Sequence, residues 1–77
     1  MKKVKLKYFP KDRIKVLNSI NIIRDGVASI SMTEGVFTFM RGTAIIEMYE
    51  KDFDTNFMWL KSRLKSVCSK DVKVTVF

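Results

Sequence analysis

The sequence predicts an α+β fold: a small, strongly curved, mainly antiparallel sheet of about five to six strands packed by one amphipathic helix, with a C-terminal strand after the helix. Three stretches predict it. Residues 3–8, K-V-K-L-K-Y, alternate strictly between lysines and apolar side chains, which is the period of a half-buried strand. Residues 53–68 carry Phe53, Phe57, Leu60, Leu64, Val67 and Cys68 at spacings of four, three, four, three and one, so on a helix they gather into one stripe. Val72, Val74 and Val76 then alternate with Lys73, Thr75 and Phe77. A chain of 77 residues is expected to form a single small globular domain over 1–77. Its 47% hydrophobic and 12% aromatic content argues for a packed core against disorder.

In chain order, Val4, Leu6 and Tyr8 of the first strand face the core and Lys3, Lys5 and Lys7 face away. Pro10 and Asp12 then signal a turn, because proline fixes φ and aspartate bonds nearby amides. Ile14 and Val16 resume the alternation, so 13–17 reads as a second strand. Pro10 at a helix start and the apolar residues through Ile23 leave a helix open as the alternative.

From Ile20 to Tyr49 the chain reads as a meander. A loop at Arg24-Asp25-Gly26, with glycine in the left-handed position, sets Ile22 opposite Ala28 and Ile20 opposite Ile30. A second loop at Glu34-Gly35 sets Met32 opposite Phe37 and Ile30 opposite Phe39. Arg41-Gly42 then turns the chain so that Phe39 meets Ala44 and Phe37 meets Ile46, with Met48 on the same inner face. The outer face carries Ser29, Ser31, Thr38, Thr43, Ile45, Glu47 and Tyr49.

Asp52 is the expected N-cap of the helix, and Asp54 adds negative charge where the helix dipole is positive. The terminal strand is expected beside the first. The order of V-K-L-K-Y, a hairpin, a meander containing I-R-D-G-V-A-S-I-S-M-T-E-G and a helix resembles the small archaeal chromatin proteins with SH3-like barrels. That resemblance implies architecture alone: their DNA-binding meander carries an exposed tryptophan and basic contacts, whereas this meander is net acidic and Trp59 is on the helix. The strand after the helix is a further departure.

The net charge is +7 and unevenly spread, with seven bases and one acid in residues 1–15, one base and three acids in 26–50, and six bases and three acids in 51–77. Basic ends favour an anionic partner, whether nucleic acid or an acidic protein surface. There is no histidine and only one cysteine, which removes the commonest general base and any His/Cys zinc site. Glu47, Glu50, Asp52 and Asp54 are the only acidic cluster, and solvation and dipole compensation explain them without a metal. No phosphate-cradling glycine motif or activated nucleophile is present, so the chain is expected to be non-enzymatic, with no catalytic residues, metal or cofactor. Cys68 reads as a buried hydrophobe in a reducing compartment. No apolar run approaches a membrane span and the first residues lack a signal-peptide core, so a cytoplasmic protein without membrane contact is expected.

Two functional expectations follow. The first is a small inhibitor or adaptor, monomer or homodimer, that docks on a larger protein with an acidic or mixed surface. Met58 and Trp59 lie about 100° or more from the stripe centre, and with Arg63 and Ser66 they form an apolar anchor with a polar rim. The alternative is nucleic-acid binding by a basic sheet face of Lys3, Lys5, Lys7, Arg13, Lys15 and Lys73. A plainer role for those lysines is to keep outer strands from edge-to-edge aggregation.

Overall fold

The computed structural model describes residues 1–33, 40–68 and 72–77. The chain runs β1 (Lys2–Tyr8), a 3₁₀ turn (Pro10–Asp12), α1 (Arg13–Ile22), a second 3₁₀ turn (Arg24–Gly26), β2 (Val27–Thr33), β3 (Gly42–Met48), α2 (Phe53–Val67) and β4 (Lys73–Val76). The fold is α+β as expected. Among the described residues, however, the sheet has four strands, in the order β2-β3-β1-β4, so a strongly curved sheet of more strands overstated it, and two helices stand where one was expected.

Residues 13–17 are the first turns of a helix and not a strand. Phe9 is extended, Pro10 opens the 3₁₀ turn, and the Asp12 amide donates to the Phe9 carbonyl at 2.8 Å. The chain is thereby bent straight into α1, whose Val16, Ser19 and Ile20 are buried. With Ile23, the apolar members recur at spacings of four and three along one side. Ile20 and Ile22 consequently have no strand partners, and Arg24-Asp25-Gly26 is a 3₁₀ turn rather than a hairpin loop. Among the described residues neither glycine, Gly26 or Gly42, has positive φ. At Gly26 the approach is close: a Cβ there would meet the Asn56 side-chain amide, which would have to turn aside.

Each strand pair is antiparallel. β3 pairs with β1 through Val4↔Ile46 and Leu6↔Ala44, and with β2 through Ile30↔Ile46 and Met32↔Ala44. Both sides of Ala44 and Ile46 are therefore occupied, which overturns their expected pairing with Phe39 and Phe37; those two phenylalanines lie outside the described residues. β4 pairs with β1 through Val4↔Val76 and Leu6↔Val74, as the terminal alternation suggested. β1 and β2 both run against β3, and β3 and β4 both run against β1. The result is two interleaved βαβ units, the split arrangement called ferredoxin-like, and not an SH3-like barrel.

Val4, Leu6, Tyr8, Ala44, Ile46 and Met48 from the sheet meet Val16, Ile20 and Ile23 beside α1 and Phe53, Leu60 and Leu64 of α2 in one buried cluster. All six strand residues belong to one face, because side chains alternate along a strand. Of the expected α2 stripe, Phe53, Leu60 and Leu64 are buried and Phe57 packs half-buried beside them, its ring stacked on that of Phe53 at 5.2 Å, while Cys68 lies just past the end of the helix. Asp52 holds the N-cap position without a side-chain cap bond, in the left-handed conformation (φ 59°), and its carbonyl accepts the Asn56 amide at 3.0 Å. No described helix is long and apolar enough to cross a membrane.

Candidate functional site

Because both helices pack on one side, the other side of the sheet carries whatever alternates with the core residues. Three rows cross it. The first runs Lys73, Lys7, Thr43, Thr33; the second Thr75, Lys5, Ile45, Ser31; the third starts at Lys3, which lies opposite Glu47, itself opposite Ser29. Phe77 completes the third row, its amide donating to the Lys3 carbonyl at 2.9 Å. Each of these side chains is exposed or half-buried, and among the described residues no element covers them.

Two features of this face bear on chemistry. Lys7 and Lys73 are direct cross-strand neighbours, and like charges in that position repel. Lys3, Lys5 and Lys7 follow one another at every second residue of β1, about 7 Å apart, and Glu47 is the sole acid in the three rows. The Lys5 ammonium stands 5.6 Å from the centre of the Phe77 ring, within the range of a cation–π contact. Lys3, Lys5, Lys7 and Lys73 are thus brought together. Arg13 and Lys15, expected to extend the same surface, are in α1, on the side of the sheet that the helices cover. They do not join the face, because the segment that would have carried them along a strand is helical.

The second candidate surface is the outer side of α2. Met58 is 61% exposed and Trp59 38% exposed, and Arg63 and Ser66 on the same helix are exposed as well. On α1, Ile14 and Ile22 are exposed too. Cys68 is half-buried just past α2, its amide donating to the Leu64 carbonyl at 3.0 Å. Burial pushes its thiol pKa up, Asp12 adds to the rise, and Lys15 opposes it, so the thiolate is disfavoured. Among the described residues no three carboxylate, imidazole or thiol groups gather in a metal-holding arrangement.

Two exposed aromatic residues were not counted among the site residues: Phe77, which completes the third row, and Tyr49, just past the end of β3. Phe77 is 59% exposed and Tyr49, two residues beyond Glu47, is 46% exposed. The signal for both was in the sequence: each continues a strand alternation in phase with the outward residues. Neither a scan against protein-family models nor a search of curated proteins gives a match, so function has to be argued from these residues and their geometry.

Proposed function

We propose that this chain is a non-enzymatic nucleic-acid-binding protein that holds phosphates on the uncovered sheet face through Lys3, Lys5, Lys7 and Lys73. One observation carries this: the lysine ladder lies on β1, an interior strand of the sheet, with Lys73 directly across from Lys7. Lys3, Lys5 and Lys7 guard no edge, so protection against edge pairing does not account for these three, whereas Lys73 stands on the edge strand β4. Their mutual repulsion is relieved when a polyanion supplies the missing negative charge, and binding then releases counterions.

The test is the salt dependence of binding to a labelled mixed-sequence oligonucleotide. Each Lys→Gln replacement at these positions is expected to weaken binding alike across sequences and to flatten the log–log salt slope by about 0.7–0.9 per lost contact. Gln at Arg13 or Lys15, which are off the face, is expected to leave the slope near the wild-type value. Absence of binding at low salt would overturn the proposal.

The exposure of Met58 and Trp59 supports a second reading, a small inhibitor or adaptor docking on a larger protein through the outer surface of α2. Large apolar side chains standing clear of the core are typical interface anchors. Affinity purification with wild-type and Trp59→Ala protein tests it: one partner held by the first and lost by the second is the expected result. Equal recovery by both proteins would remove it.

A further inference from the structure

Phe77 and Tyr49 differ from the usual exposed aromatic in being backbone-anchored. The Phe77 amide is held by the Lys3 carbonyl at 2.9 Å, and the Tyr49 amide by the Gly26 carbonyl at 3.1 Å. Both lie at the Lys3 end of the sheet: Phe77 follows β4 and is bonded to Lys3, and Tyr49 follows Met48, the last residue of β3, one step of the alternation beyond Glu47. Their strands flank β1, two strand widths apart, about 10 Å. Both are exposed, Phe77 by 59% and Tyr49 by 46%.

Charge is graded along the same direction. The Lys7 end has Lys7 and Lys73 side by side with threonines. The Lys3 end has the rings and Glu47, which repels a phosphate but accepts hydrogen bonds from the amino group of a base. One end therefore suits backbone and the other suits bases. Inside a duplex the base faces are stacked on one another, whereas single strands leave them free for aromatic side chains.

Resting on the nucleic-acid reading above, we infer that the ligand of this face is single-stranded nucleic acid, with bases stacking on Phe77 and Tyr49 and phosphates carried toward Lys5, Lys7 and Lys73. Lys5, now over the Phe77 ring, lies at the boundary between the two halves and serves both.

The experiment is fluorescence anisotropy with one labelled mixed-sequence 12-mer, as single-stranded DNA, single-stranded RNA and annealed DNA duplex. Wild-type protein, Phe77→Leu, Tyr49→Leu and the Lys3/Lys5/Lys7/Lys73→Gln quadruple variant are compared, with circular dichroism confirming that each folds. Expected is at least one of the single strands bound about tenfold or more tightly than the duplex. Each ring variant is expected to lose about fivefold or more on that strand, since base stacking is the interaction removed, with an unchanged salt slope and unchanged duplex binding. Ring variants that bind like wild type, or a duplex bound as tightly as both single strands, would overturn the stacking inference. If the quadruple variant still loses binding in that case, phosphate binding by the lysines stands. A wild-type protein that binds none of the three probes overturns both.

Discussion

The placement of the lysines depends on the β1–β3 register, and one substitution interrogates that register directly. Tyr8 lies opposite Gly42, and a Cβ on Gly42 would fall 2.8 Å from Cε2 and Cζ of the Tyr8 ring and 2.9 Å from its Oη. Carbon atoms pack at about 3.5–4.0 Å, so in Gly42→Ala the ring must retreat by about 1 Å. Tyr8 is completely buried, so the ring can retreat only against neighbouring core side chains. Overpacking of this kind costs about 1–3 kcal/mol, and the enclosed ring puts Gly42→Ala in the upper half, about 2–3 kcal/mol. At about 4–8 °C per kcal/mol for a domain of this size, the midpoint should fall by roughly 10–20 °C. Urea denaturation followed by far-UV circular dichroism measures the free-energy cost and a thermal melt the midpoint, using wild type, Gly42→Ala, Tyr8→Leu and the double variant. In the Tyr8→Leu background the ring is gone, so the same alanine should cost less than about 1 kcal/mol, and the cycle should show coupling of at least about 1 kcal/mol. Equal cost in both backgrounds, or no cost in the wild type, would refute the register and with it the opposition of Lys3 to Glu47.

Further tests separate core from surface and stability from binding. Leu60 is fully buried while Trp59 is 38% exposed, so Leu60→Ala should destabilise by about 3–5 kcal/mol and Trp59→Ala by about half of that or less; denaturation midpoints check it, and equal losses would show α2 to be rotated. Lys73→Glu replaces a like-charged cross-strand pair with an opposite one, so at low salt it should raise stability by about 0.2–1 kcal/mol while weakening polynucleotide binding several-fold. A melting series in low and high salt, run beside the anisotropy assay, reads both effects, and a variant that is less stable yet binds normally would contradict the opposition of Lys7 and Lys73.

Part of the fold was legible because one period dominated each stretch. Val4, Leu6 and Tyr8 against Lys3, Lys5 and Lys7 leave only one way to lay β1 on a core, and Val74 and Val76 between Lys73, Thr75 and Phe77 do the same for β4 beside it. The stripe from Phe53 to Leu64 leaves α2 no other phase. Ile30, Met32, Ala44, Ile46 and Met48 were correctly assigned to inward positions, although Ile30 lies opposite Ile46 and not Ile20. A strand's facing depends on its own alternation, whereas its pairing depends on how far away the chain has travelled before it returns.

Residues 13–22 concealed how far the chain travels. Ile14 is 59% exposed and Ile22 58% exposed, so apolar residues lie on every side of α1 and blur its amphipathic period, while Ile14 and Val16 by themselves imitate a strand. Packing decided the conformation instead. Val16, Ser19 and Ile20 fill the space over the inner face beside α2, and the 3₁₀ turn at Pro10–Asp12 delivers the chain there directly. The consequence reaches the site. A hairpin after β1 would have put the next strand alongside it, with Arg13 and Lys15 continuing the basic face. A helical crossover instead carries the chain past one strand position, into which β3 later inserts, and β4 then takes the other side of β1. Lys3, Lys5 and Lys7 thereby end on an interior strand with Lys73 across from Lys7, and the basic residues of α1 end on the covered side. The functional face is therefore set by the segment whose own pattern was least informative, because topology, and not the local alternation of K-V-K-L-K-Y, determines which neighbours the lysines meet.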